Sequence, residues 1–305
     1  MSNQLDPVDE VRRLFQDIFA VRNSQETGNS NPIFVSFDIA HGNKKGISAI
    51  GISVLDTRYL TRFTPQQIND HTHPLLWTHT YIFSYGSQGV RRAQKRALFD
   101  GNAQKVTLSN KIPLLEHIFS YYEEQDVQPC CHSHKFRSFR PNSVPQLPNA
   151  MAQRAAQRAR PIILVGHAIN QDLSSLYKIG FNVLQIARVY NVFDTQRIAR
   201  ALYWKQDPSR NVSLKELCIL MGFRPINIHT SGNDAAYALI ILLCLASRIL
   251  GTETEESAYA RDRLDEVVRL ALGLARTEKG KWKAERREER QDVQDWADIL
   301  EEMAL

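Results

Sequence analysis

Six side chains able to act as acids, bases or metal ligands stand at the ends of apolar runs or at the mouths of helical patterns. Asp38 closes F-V-S-F-D (34–38). His167 and Asp172 lie in G-H-A-I-N-Q-D-L, directly after P-I-I-L-V. Asp194 closes V-Y-N-V-F-D, and His229 and Asp234 lie in H-T-S-G-N-D-A-A ahead of a long apolar run. Carboxylates are hard donors suited to Mg²⁺ or Mn²⁺, and an imidazole titrates near neutrality and can move a proton. Each residue alone has a plainer reading, since an Asp after a strand ordinarily caps a helix and a His in a polar loop is ordinarily solvated. Metal chemistry at a strand end commonly wants a second carboxylate two residues on, on the same face. That position is Ala40. His41 should face the other way, and the turn beyond brings Lys44 and Lys45 rather than acids.

The elements that must hold these residues follow from hydrophobic period and punctuation. I-F-V-S-F-D (33–38), I-S-A-I-G-I-S-V-L-D (47–56) and L-W-T-H-T-Y-I-F (76–83) read as strands. The intervening G-N-K-K-G makes the first two an antiparallel hairpin. Asp6-Pro7 opens an N-terminal helix, and residues 110–123 read as another. From residue 161 the order becomes strand, helix, strand, helix. A capping-box pattern at Ser213 and Glu216 then opens a helix that stops at Gly222, and a last core helix follows Asn233. Antiparallel front and parallel back predict a mixed α/β sheet of five strands flanked by helices, with its ligand edge at the strand C-termini. Asp194 reads as a helix cap.

The motifs resemble the DEDDh family of 3′–5′ exonucleases, which have an RNase H-like fold. The matches are Asp38 for the first acid, G-H-A-I-N-Q-D-L with Asp172 for the second motif, and His229 with Asp234 for the third, H-x4-D. Thr230 stands where the sister DEDDy group has Tyr. I-G-I-S-V-L-D-T-R (50–58) and V-F-D-T-Q-R-I-A (192–199) also resemble the family, particularly an uncharacterised fungal branch. The resemblance spans roughly residues 33–248. It implies two divalent ions, Mg²⁺ or Mn²⁺, with Asp38 bridging both, Asp234 holding the one that activates water, and Asp172 acting on the other through water. It implies His229 as general base in hydrolysis of a terminal phosphodiester. It also implies Glu where this chain has Ala40, so the chain is an enzyme with a weakened site, an inactivated form of an active one, or a nuclease-like protein that no longer cuts.

Charge divides the chain. From Gly251 onward there are 10 Lys/Arg against 15 Asp/Glu, and the preceding residues hold 28 against 18. A body of net +10 suits a polyanionic partner, single-stranded nucleic acid with RNA ahead of DNA. The expected layout is an N-terminal helix and linker (1–31), an RNase H-like domain (32–250) with a basic, proline-rich insertion (127–160), and a charged helical extension (251–305) open to a protein partner. Cys130-Cys131-His132-Ser133-His134 has ligand types without zinc-finger spacing. The run 235–246 is too short to span a bilayer and reads as a core helix. Without an apolar leader or a disulfide framework, an intracellular location, cytoplasmic or nuclear, is expected. Two rival readings remain beside the exonuclease: a non-catalytic nucleic-acid-binding module, and a protein-interaction module.

Overall fold

The computed structural model describes residues 6–20, 32–42, 46–61, 75–83, 87–99, 102–124, 161–186 and 189–277. The 127–160 insertion, its Cys/His cluster, the 23–31 linker and the tail beyond 277 lie outside the described residues.

The hairpin forms as its pattern requires. β1 (Ile33–His41) pairs antiparallel with β2 (Ile47–Asp56). β3 (Trp77–Ile82) continues the meander. The parallel half is β5 (Ile162–Gly166) beside β1 and β6 (Val189–Asp194) beside β5. One strand goes beyond the five expected: β4 (Asn102–Lys105) lies parallel to β3 and makes the order β4-β3-β2-β1-β5-β6. Its sequence, N-A-Q-K, has no apolar alternation because a half-exposed edge strand has no buried face to fill.

The sheet's period of two sorts its side chains into two cores. Phe34, Leu55, Ile163, Val165 and Phe193 face one way, under the helices Pro7–Ala20, Ser231–Leu250 and Glu255–Thr277. Ile33, Val35, Phe37, Ile50, Ile52 and Leu164 face the other, under the helices Lys111–Glu124 and Ile169–Lys178. The helix Ser231–Leu250 is long and apolar enough to cross a membrane, yet 89% of its most apolar stretch is buried inside the protein. It is the central core helix.

Local signals decide the helix ends. The Asp6 carboxylate accepts the Val8 N–H at 2.9 Å, in front of Pro7. The capping box forms, with the Glu216 N–H donating to Ser213 Oγ at 3.2 Å and the Ser213 N–H donating back. Past Gly251, the helix Glu255–Thr277 buries Leu264 and Val267 completely and sets Arg263 against Glu266 and the Leu60 carbonyl. Cys218 is buried and Cys244 half-buried, both as free thiols.

Candidate active site

β1 is longer than its parallel neighbour. β5 pairs with it only through Ser36, so the strand from Phe37 onward has a free edge on that side. An unpaired backbone N–H away from water is costly. Here the Ile39 N–H donates to the Asp172 carboxylate at 3.2 Å. Asp172 is therefore not a helix cap. It sits in the first turn of the helix Ile169–Lys178, 9% exposed, and reaches across to the strand that carries Asp38. The helix begins instead at Ala168, in left-handed conformation (φ 55°), whose N–H donates to Asp194. Asp194 also accepts the Gln196 and Arg197 N–H groups, the cap expected of it. His167 is structural: its Nε2–H donates to the Val212 carbonyl at 2.9 Å and its Nδ1 meets the Thr195 hydroxyl, while burial holds its pKa low.

The other side of the site depends on a close approach. Asp38 pairs with Gly51 across the hairpin. A Cβ at Gly51 would fall 1.9 Å from the Ser231 carbonyl, and one at Gly232 would fall 2.4 Å from Thr80 Oγ1. Two missing side chains thus let the start of the helix Ser231–Leu250 lie directly on the sheet. The Ser231 hydroxyl then donates to the Asp38 carboxylate. Asp234, 9% exposed, accepts the His229 N–H at 3.1 Å.

His229 is exposed and left-handed (φ 63°), as is Asn227 (φ 52°). Such backbones persist only where the surroundings over-determine them. Asn233, 1% exposed, does this: its amide donates to the Arg96 and Asn227 carbonyls, and its oxygen accepts the Leu98 N–H. Arg96 donates to the Ile228 carbonyl at 2.8 Å. The sequence reading missed Gly51, Ser231, Asn233 and Arg96. From the sequence, R-R-A-Q-K-R (91–96) reads equally as a basic face for a phosphate backbone and as a solvated one, whereas Arg96 clamps a loop 132 residues away.

The three carboxyls repel. Burial pushes Asp172 up to about 8, and the charge of Asp38 adds to it. Burial likewise pushes Asp234 up to about 8, with Asp38 again second. Asp38 rises to about 6 through burial, relieved by the Ser231 hydrogen bond and by the imidazoles of His229 and His41. This is an oxygen-only donor set whose carboxyls resist ionising together, the chemistry that a hard divalent cation relieves.

The fit is nevertheless incomplete. Among the described residues no group of three carboxylate, imidazole or thiol side chains is arranged to hold a metal ion. Ala40 is half-buried on the Asp38 face and offers no oxygen. His41 does face the opposite way, hydrogen-bonded to Ser175 at 3.1 Å on the helix of the other core.

Residues 33–245 match the family model described as DNA polymerase III subunit epsilon-like, C-terminal domain, of the DEDDh group. No curated protein matches the chain. With the match running from the first residue of β1 to within the last two turns of the central helix, the chain belongs to the DEDDh exonuclease family.

Proposed function

We propose that the protein is a metal-dependent 3′–5′ exonuclease acting on single-stranded nucleic acid, RNA ahead of DNA, with a site weakened at Ala40. The observation that carries this reading is the placement of Asp172 and Asp234 on opposite sides of Asp38, both electrostatically coupled to it, with His229 exposed beside Asp234. Asp38, Asp172 and Asp234 would hold Mg²⁺ or Mn²⁺. A divalent ion bound there supplies neutralisation of the phosphate charge and a more acidic water.

The chain's own residues do the rest. The Ile39 N–H fixes one oxygen of Asp172 and the His229 N–H fixes one of Asp234, so each carboxylate keeps its second oxygen for a ligand. Ser231 orients Asp38. His229 stands at the rim, where its ring can take the proton of an attacking water. Ala40 leaves that water one anchoring carboxylate short.

A second reading, a module that binds nucleic acid without cutting it, is favoured by Ala40 and by the incomplete metal fit. Hydrolysis of 5′-labelled RNA and DNA oligonucleotides in Mn²⁺ separates the two. The native chain should shorten the strand slowly from its 3′ end. Ala40→Glu should speed it by about 10²-fold, worth about 2.7 kcal/mol. On that background His229→Ala should slow it by roughly 10² to 10⁴ without removing metal binding, and Asp234→Ala should abolish it. Activity at background in Ala40→Glu would overturn the enzyme reading and leave the binding module.

A further inference from the structure

A groove of about 570 Å³ opens between the end of β1 and the outward face of the helix Ile169–Lys178, the helix whose inward face carries Asp172. That helix is two-sided. Ile169, Asp172 and Leu176 turn inward, and Asn170, Gln171, Ser174, Tyr177 and Lys178 turn to solvent. The groove uses the outward row, with His41 and Gly42 as its far wall. Among the described residues lining it there is no acid. Lys178 is its one cation there, and Asn170, Gln171 and Ser174 add neutral hydrogen-bonding groups.

Beside the lining residues on the same helix stands Tyr177, 70% exposed, one helical step from Ser174 and adjacent in sequence to Lys178. Its ring presents an open face on which a base can stack. The helix rises about 12 Å from Asn170 to Lys178, enough for a short length of extended strand. Its inner end begins at Gln171, next to Asp172.

Resting on the exonuclease-fold reading above, we infer that this groove is the track for the single strand leading into the site. Lys178 pairs with a backbone phosphate, Asn170 and Ser174 hydrogen-bond to sugar or phosphate, and Tyr177 stacks on a base. An acid-free polar channel with one cation, beside a bare aromatic on the same helix, has the composition that single-strand binding uses: electrostatic attraction to the backbone and a stacking platform indifferent to sequence. His41, held by Ser175, forms the wall opposite and keeps the groove open at the strand end.

The test is fluorescence anisotropy of a labelled 12-nucleotide RNA, with a DNA copy as second arm, on the full chain without divalent ions across a salt series. Lys178→Ala should weaken binding and lower the slope of log affinity against log salt by about 0.7. Lys178→Glu should weaken binding at least tenfold. Tyr177→Ala should weaken it about tenfold with the salt slope unchanged, because stacking releases no counterion. All three variants change an exposed residue, and an unchanged thermal midpoint confirms folding. Arg269→Glu, on the distant helix Glu255–Thr277, should leave affinity within twofold. Native affinity retained in both Lys178 variants and in Tyr177→Ala overturns the groove alone, as does a loss confined to Arg269→Glu. Failure of the native chain to bind either strand overturns the groove together with the nucleic-acid reading.

Discussion

Asp38 is approached from two sides, and the two sides are built differently. From the side of β5, Asp172 arrives on a regular helix and is fixed by a single hydrogen bond to an edge N–H that the sheet leaves unpaired. From the side of β2, His229 and Asp234 arrive on a strained loop held by Asn233 and Arg96, at the head of a helix pressed onto Gly51. Both arms join segments more than 130 residues apart, but the first does so through one hydrogen bond and the second through several contacts that depend on one another. Geometry on the first arm should therefore tolerate substitution, and geometry on the second should fail as a unit.

The largest effect expected is at Gly51. Gly51→Ala drives a methyl group into the Ser231 backbone, which must move together with its helix. A loss of about 3 kcal/mol or more is expected, seen as a fall in thermal midpoint of roughly 6–12 °C at 2–4 °C per kcal/mol. A loss under about 1 kcal/mol would mean that the helix start is not tightly seated.

Asn233→Ala comes next. It leaves the Leu98 N–H and the Asn227 carbonyl without the Asn233 side chain, and the Arg96 carbonyl with the Asn227 amide alone, at about 2–3 kcal/mol, and frees the His229 loop. Hydrogen exchange should rise at Leu98 and His229 while Ile39, on the first arm, stays protected. Equal loss at Ile39 would erase the contrast between the arms.

A smaller effect separates charge from contact. Asp172 and Asp234 hold protons in the fold up to about pH 8, against about pH 4 in the unfolded chain. Between those limits unfolding releases protons, so without divalent ions stability should fall as pH rises through this window and level off above it. Asp234→Asn keeps the acceptor for the His229 N–H and removes the repulsion with Asp38. It should raise the thermal midpoint at pH 8 by roughly 4–8 °C, taking about 2 kcal/mol and 2–4 °C per kcal/mol. A lower midpoint at pH 8 would show that the carboxylate stabilises the loop more than its charge destabilises the cluster.

The same contrast decides what could be read in advance. β1, β2, β5 and β6 carry period-two or fully buried runs, and Asp194 ends its strand as the pattern says, whereas Asp38 stands three residues inside β1, which runs on to His41. Asp172 was found for its neighbours in G-H-A-I-N-Q-D-L, but its partner, Ile39 N–H, exists only because β1 overruns β5. β4 left no trace because four polar residues at an edge bury no face. On the second arm the glycine within I-G-I-S and the one within S-G-N-D were available signs of a close backbone approach, yet nothing local says that they meet each other's segment. Arg96 was hidden more completely, because a clamping arginine and a solvated one look alike in a basic run.

On the proposed reading, Asp38, Asp172 and Asp234 act as one cation-binding unit that must shed protons to work. Calorimetric titration of the chain with Mn²⁺ at pH 7, repeated in two buffers of different ionisation enthalpy, measures it directly. Binding should release about one to two protons, because Asp172 and Asp234 are pushed up to about 8 and must ionise to ligate. The release should drop in Asp234→Asn. Mn²⁺ binding with no buffer-dependent heat, or no binding at all, would contradict the account.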